Sequence, residues 1–380
     1  MLFIHDTVSL CDSCYRHIPA FVFERDGQIW LRKKCSLHGE SEHLVEPDAE
    51  LFYSLKFTHK NKRSIMFEVT DKCQLECPHC YHLPDNRTQD KPIEDIISQL
   101  LSFPPDVRFV LAGAEPTLRN DFVEMISRIK NLNHFNHDNV AVLTNGIKFS
   151  NTKFTKDSVN AGLDTILLGL NHYSYNGVNV HNQQLAGIQN LIDSGASFGY
   201  IGYTVETLDH IPDILDEIAQ LRKLGNIQFR IRCGAFIGRS SDQQRSYVSA
   251  TLKKIEEHLG KNNFEISQAH DNNIYHINII WNNTFIRVIQ WPDVSNIDME
   301  ELNMEPYCQF YGKPITNFVH QVILRDAYKN KQLSLIDGVP FKYTHLGDKT
   351  YWKDTFTEPV EIDLYDYKSN LLVTDKVSQF

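Results

Sequence analysis

Between residue 64 and about residue 240, six short β-prone segments alternate with stretches that read as amphipathic helices. The β-prone segments are 64–70, 107–112, 139–143, 165–170, 198–205 and 227–231, and the helical stretches include 93–103, 121–132, 183–194 and 211–224. Strands separated by helical crossovers predict βα units and a parallel sheet. In such folds ligands gather at the C-terminal ends of the strands. Polar residues at those ends therefore become the candidate site.

The first strand runs straight into Cys73-Gln-Leu-Glu-Cys77-Pro-His-Cys80. Three thiolates at this spacing form a tight loop that can hold three irons of a cubane and leave the fourth without a protein ligand. An iron with an open position can bind a small molecule, whereas a four-cysteine cluster is closed. A structural zinc loop made by the same cysteines is the competing reading. A second group lies upstream, where Cys11-Asp-Ser-Cys14 is followed by Cys35-Ser-Leu-His38-Gly39. Between them, 21–25 and 28–33 predict a hairpin turning at Asp26-Gly27. That hairpin brings Cys11, Cys14, Cys35 and His38 together as a tetrahedral set for zinc, or for a mononuclear iron. His17 is an alternative to His38, and unligated core cysteines are the bland reading. Six of the eight cysteines fall in these two groups, a pattern of metal ligands rather than disulfides.

The motif C-x3-C-x-Φ-C resembles that of the radical S-adenosylmethionine (SAM) superfamily, with His79 at the usually aromatic position. The resemblance implies a partial (β/α)6 parallel barrel, a [4Fe–4S] cluster on Cys73, Cys77 and Cys80, and S-adenosylmethionine bound to the open iron. It also implies reductive cleavage to a 5′-deoxyadenosyl radical that abstracts hydrogen from a substrate. Gly113-Ala114-Glu115-Pro116 resembles the superfamily's Gly-Gly-Glu-Pro turn, with Ala114 replacing the second glycine. Thr144-Asn145-Gly146 resembles its Thr-Asn-Gly strand end, and Asn171 stands where relatives carry a polar residue. Arg230 and Arg232 share one face of their strand, and one of them is expected to pair with the cofactor's carboxylate. The knuckle ahead of the radical motif resembles the branch of tetraether lipid synthase and dihydropterin methyltransferase, over residues 1 to about 240. That branch carries extra C-terminal cysteines, which here reduce to Cys233 and Cys308. One cluster is therefore expected, and the branch's substrates are not carried over.

These readings divide the chain into a knuckle at 1–57, a radical SAM core at 58–245 and a C-terminal α+β extension at 246–380 that closes the barrel and selects substrate. Antiparallel strands are expected over 264–291, with turns at 271–273 and 282–283. His270, His276, Trp281, Trp291 and Asp293 are candidates for a substrate wall, and a helical pattern covers 315–330. Cys308 and Cys233 are candidate hydrogen donors, weighed against buried, inert cysteines.

The net charge of −10 argues against a duplex-binding protein. No apolar run is long enough to span a bilayer and no secretory signal is visible, so a cytoplasmic location is expected. The leading expectation is a small-molecule substrate and a flavodoxin- or ferredoxin-like reductant. Modification of a nucleotide, nucleic acid or peptide is a second enzyme reading, and a metal-binding interaction protein with a degenerate barrel is the non-enzymatic one.

Overall fold

Asp26 and Gly27 both adopt positive φ, 53° and 72°, the backbone that a two-residue type I′ turn requires. They join β2 (His17–Arg25) to β3 (Gln28–Cys35) in the expected hairpin. Two strands that the sequence pattern did not single out, β1 (Leu2–Leu10) and β4 (Gly39–Glu46), pair on either side to give an antiparallel sheet in the order β1-β2-β3-β4. Glu42 of β4 earns its place by charge rather than burial, since it meets both Arg25 and Arg32. Val22, Ile29 and Leu31 form a small buried cluster with Ala49, the first residue of α1 (Ala49–Ser54).

The computed structural model describes residues 1–13, 17–54, 64–80, 82, 84–101, 103, 105, 108–136, 140–170, 174–175, 178–234, 245–267 and 275–290, together with the backbone of five later strands. The main sheet begins at β5 (Ser64–Thr70) and continues through α2 (Ile93–Leu100), β6 (Arg108–Gly113), α3 (Phe122–Lys130), β7 (Val140–Thr144), α4 (Thr152–Asn160) and β8 (Leu163–Gly169). A small hairpin of β9 (Ser174–Tyr175) and β10 (Val178–Asn179) leads to α5 (Val180–Asp193), β11 (Ser197–Thr204), α6 (Ile211–Leu221) and β12 (Phe229–Arg232). The six expected strands are consecutive neighbours, β5-β6-β7-β8-β11-β12, and every pair is parallel. This is an α/β fold. Phe67, Leu111, Val142, Ile166, Ile201 and Ile231 from the strands pack against Ile96, Met125, Ile188 and Ile218 from the helices. All ten are at most 1% exposed.

Helix α4 was not expected, because Thr-Lys-Phe-Thr-Lys-Asp-Ser-Val-Asn has weak helix propensity. Its N-cap Asn151 accepts the Phe154 N–H, and the buried Thr155 and Ser158 hydroxyls donate to the carbonyls of Phe149 and Phe154. Local bonding and packing thus override propensity.

After α7 (Val248–Leu259) come β13 (Glu265–Ser267), β14 (Tyr275–Trp281) and β15 (Thr284–Gln290). The expected turn lies at Asn282-Asn283, where φ is 48° and 62°. The chain then returns so that β15 lies parallel to β12 and β14 antiparallel to β15. The final third therefore continues the main sheet. On its other edge β16 (Cys308–Phe310) pairs parallel with β5 and antiparallel with β17 (Lys313–Ile315). A separate antiparallel sheet is built from β18 (Phe341–Leu346), β19 (Lys349–Asp354) and β20 (Pro359–Ile362). The expected turn at 271–273 and the helix from 316 onward lie outside the described residues; Ile315 itself ends a strand.

Arg119, 1% exposed, fastens the sheet edge that carries the candidate site. It donates to the carbonyls of Val69 and Lys91, each at 2.8 Å, and forms a two-pronged pair with Asp121. Replacing it removes the donor to one buried and one part-buried carbonyl, and each charge-assisted hydrogen bond is worth about 1.5–3 kcal/mol. Arg119→Met should therefore lower the unfolding free energy by about 3 kcal/mol in a denaturant titration. A loss below about 1 kcal/mol would show that the carbonyls find other partners.

Candidate functional site

Glu115 follows β6 and is fully buried. One carboxylate oxygen accepts from the Thr117 N–H and hydroxyl at 3.2 and 2.5 Å and from the Thr144 hydroxyl at 2.7 Å; the other accepts the Asn145 N–H at 2.7 Å. Burial pushes its carboxyl upward from the ordinary range, and these donors oppose that shift. The turn expected to face the cofactor thus uses its carboxylate to lock the ends of β6 and β7 together. Gly113 has φ of 134°, and a Cβ there would stand 2.3 Å from the Thr70 carbonyl. Only glycine lets the two strands approach so closely. Ala114 needs only its backbone, whose N–H donates to Thr70, so the missing second glycine leaves the turn intact.

The three-cysteine loop is held against this turn. The Glu115 N–H donates to the Lys72 carbonyl, the Cys73 N–H to the Asn86 side chain, and the Cys80 N–H to the Cys77 carbonyl. Thr70 and Lys72 both bond Asp90. Gln74 reaches the Asn145 side chain at 3.3 Å, and the Asn145 amide lies 3.9 Å from the Cys73 sulfur. Burial, then the charge of Glu115 and the neighbouring Cys77 and Cys80, push the Cys73 thiol up to about 12. His82, buried, sits between Asp71 at 2.9 Å and Glu68 at 3.4 Å.

A cavity of about 210 Å³ opens in front of this loop, lined by Cys73, Cys77, Cys80, His79, Gly113, Ala114, Asn145, Arg230 and Arg232 among others. Residues from seven successive strands of the sheet, β5 to β15, reach it. His79, partly buried, lies beside Glu206 at 3.2 Å, and its desolvation lowers its basicity while Glu206 opposes. Arg232 donates to the His79 carbonyl at 3.3 Å, and the Arg230 guanidinium lies 3.8 Å from the centre of the Tyr200 ring. Gln184, fully buried, bridges the carbonyls of Asn145 and Gly169 at 2.6 and 2.8 Å and so ties β7 to β8. Its position on the buried face of α5 was the only sequence signal for it.

At the other end of the chain, the sulfurs of Cys11 and Cys35 each lie 3.5 Å from Nδ1 of His38. All three ligand atoms lie within 4.8 Å of one another, close enough for a single ion. His38 is thus placed beside the two cysteines, whereas the side chain of His17 lies outside the described residues. Burial works against ionisation of Cys35, but bonds from the Leu37 backbone and from His38 outweigh it and bring the thiol down to about 6. A thiolate is the form that binds metal. Asp12, inside the first chelating turn, accepts from Lys33 and Ser41 and lies 2.9 Å from His43. Burial disfavours its charge, yet these partners hold it at about 2. Sequence reading missed Asp12, because only the pairing of β3 with β4 brings its partners to it.

Cys14 and Asn171 lie outside the described residues, as do His270, Trp291 and Asp293. Cys308 lies on β16, beside Met66 of β5 in register, and its side chain is not described. Cys233 is fully buried, and its sulfur meets the Thr251 hydroxyl of α7 at 3.3 Å rather than the cavity. Burial raises its thiol to about 12. The geometry is that of an inert core cysteine and does not support the hydrogen-donor expectation.

Residues 3–47 match the HMPTM N-terminal zinc ribbon domain, and residues 67–218 match the Radical SAM superfamily. The chain is 31% identical over 195 residues to 7,8-dihydro-6-hydroxymethylpterin dimethyltransferase of Methanocaldococcus jannaschii, a stretch covering 43% of this chain and 38% of that protein. It is 28% identical over 211 residues to a probable GTP 3′,8-cyclase of Methanococcus aeolicus, covering 52% and 67% respectively. Among solved structures, Streptococcus suis SuiB bound to precursor peptide SuiA aligns with a TM-score of 0.38 at 13% identity, over 66% of this chain and 69% of that one. The chain thus carries a Radical SAM superfamily domain at residues 67–218, preceded by a zinc ribbon domain at residues 3–47.

Proposed function

We propose that this enzyme cleaves S-adenosylmethionine reductively at a [4Fe–4S] cluster held by Cys73, Cys77 and Cys80, and acts on a metabolite-sized substrate. The observation that carries this reading is convergence: the three thiols, the Gly113-Ala114 turn, Asn145 and two arginines line one cavity. Three soft sulfur ligands on one short loop suit iron–sulfur ligation. A cluster bound there would supply one electron for cleavage of the S–C5′ bond of S-adenosylmethionine, giving methionine and a 5′-deoxyadenosyl radical able to take a hydrogen atom from the substrate.

The chain's own residues do the rest. The Gly113-Ala114 backbone receives the cofactor's amino group, and Arg232, already bonded to the cluster loop, takes its carboxylate. Asn145 supports Cys73 from the end of β7, and His79 with Glu206 flanks the nucleoside. Met66, Leu75, Leu143 and Ile289 give the cavity apolar walls, which keep water from a reactive radical. Parallel strands that all contribute to one cavity support a sheet curled into a partial (β/α)6 barrel. The boundaries that fit are a ribbon at 1–57, a core at 58–245 and an extension at 246–380. Cys11, Cys14, Cys35 and His38 hold structural zinc, closed by four protein ligands. Electrons come from a flavodoxin- or ferredoxin-like protein.

Metal analysis of anaerobically reconstituted protein separates the two centres. Wild type should carry about four irons and one zinc per chain. Cys73→Ala should lose the iron and keep the zinc, and His38→Ala should do the reverse. Reduction with dithionite in the presence of S-adenosylmethionine should release 5′-deoxyadenosine from wild type and none from Cys73→Ala. Zinc in place of iron on the three-cysteine loop, with no nucleoside released, would refute the reading.

A further inference from the structure

The cavity wall is electrostatically lopsided. Among its described lining residues there are two arginines and no carboxylate, in a chain with ten more acidic than basic side chains. Arg232 lies against the cluster loop through the His79 carbonyl. Arg230 stacks on Tyr200 and has no acidic partner among the described residues. Its neighbours in register on the next two strands are Gly202 and Gly169, which present no side chains to obstruct it. On the other side its register partner is Arg287 of β15, oriented by the Asn278 side chain at 3.0 Å. A second cation therefore borders the same stretch of the sheet's inner face.

Holding a guanidinium at an apolar wall without an anion is costly. Stacking on an aromatic ring offsets only part of that cost, about 0.5–2 kcal/mol, but it also fixes the fork of N–H donors facing the cavity. Arg230 precedes Arg232 by two residues, so it stands roughly 6–7 Å farther along the strand from the cluster loop. A carboxylate bound at the cluster meets Arg232 first. Arg230 is left for a second negative group.

Building on the function proposed above, we infer that Arg230, with Tyr200 behind it and Arg287 beside it, binds an anionic group of the substrate, which is thus a phosphorylated or carboxylated small molecule. Arginine suits both groups because its paired N–H donors match phosphate and carboxylate oxygens.

The test uses reconstituted holoenzyme in calorimetric titrations at low salt, with inorganic pyrophosphate and succinate as separate probes and S-adenosylmethionine as a third titrant. Wild type should bind at least one of the two anions, and the tighter of them identifies phosphate or carboxylate as the group recognised. Arg230→Ala should weaken that binding by about tenfold or more, the loss expected for a charged hydrogen bond, and Arg230→Lys should recover part of it. The fall in affinity for S-adenosylmethionine should stay below threefold. The inference is overturned if wild type binds neither anion, if Arg230→Ala binds it equally well, or if S-adenosylmethionine affinity falls as far as anion affinity. Iron content and 5′-deoxyadenosine release in the same preparations report on the parent reading separately.

Discussion

The buried carboxylate of Glu115 is the constraint on which the site depends. A carboxylate wholly removed from water is tolerated only when its oxygens are fully supplied with donors. Here Thr117, Thr144 and Asn145 supply them, from two strand ends that must keep a fixed spacing to do so. The same turn receives the cluster loop through backbone bonds to Thr70 and Lys72. Asn145, set by Glu115 at its backbone, touches Gln74 and approaches Cys73 with its side chain. One saturated ion thus positions elements from three strands, and Arg119 clamps that assembly from behind.

The two cysteine groups are prepared for metal in opposite ways. In the ribbon, hydrogen bonds from Leu37 and His38 bring the Cys35 thiol down to about 6 despite its burial, so the polypeptide itself favours the ligating form. At the three-cysteine loop, burial and nearby negative groups drive the Cys73 thiol up to about 12, and the positive charge of an iron ligated there would offset it. The ribbon is joined to the core at the strand ends bordering the site: the Gln290 amide at the end of β15 reaches the Val45 carbonyl at 3.4 Å, and Leu51 of α1 packs on the main core.

Much of this was legible in the sequence where one rule acts alone. Period and punctuation located the six parallel strands to within about two residues, and the Asp26-Gly27 and Asn282-Asn283 turns followed from residues that tolerate positive φ. Tertiary effects were not legible. Helix α4 runs against its own propensity, β4 is defined by its ladder to β3, where Glu42 meets Arg25 and Arg32, and Gln184 acts only because α5 sets it beside two strand ends. Glu115 was found by motif, but its role changed: it faces inward, to the protein. Cys233 carries no local signal of which way its sulfur turns, and packing against Thr251 decided that.

The central claim is that one iron of the cluster is left open by the polypeptide and faces the cavity. Electron–nuclear double resonance on the reduced holoenzyme, with S-adenosylmethionine labelled by 15N at the amino group and 17O at the carboxylate, reads that contact directly. Hyperfine coupling of both labels to the cluster is expected. A reduced spectrum with no coupling to either label, or with coupling to a fourth protein side chain in their place, would contradict the open corner.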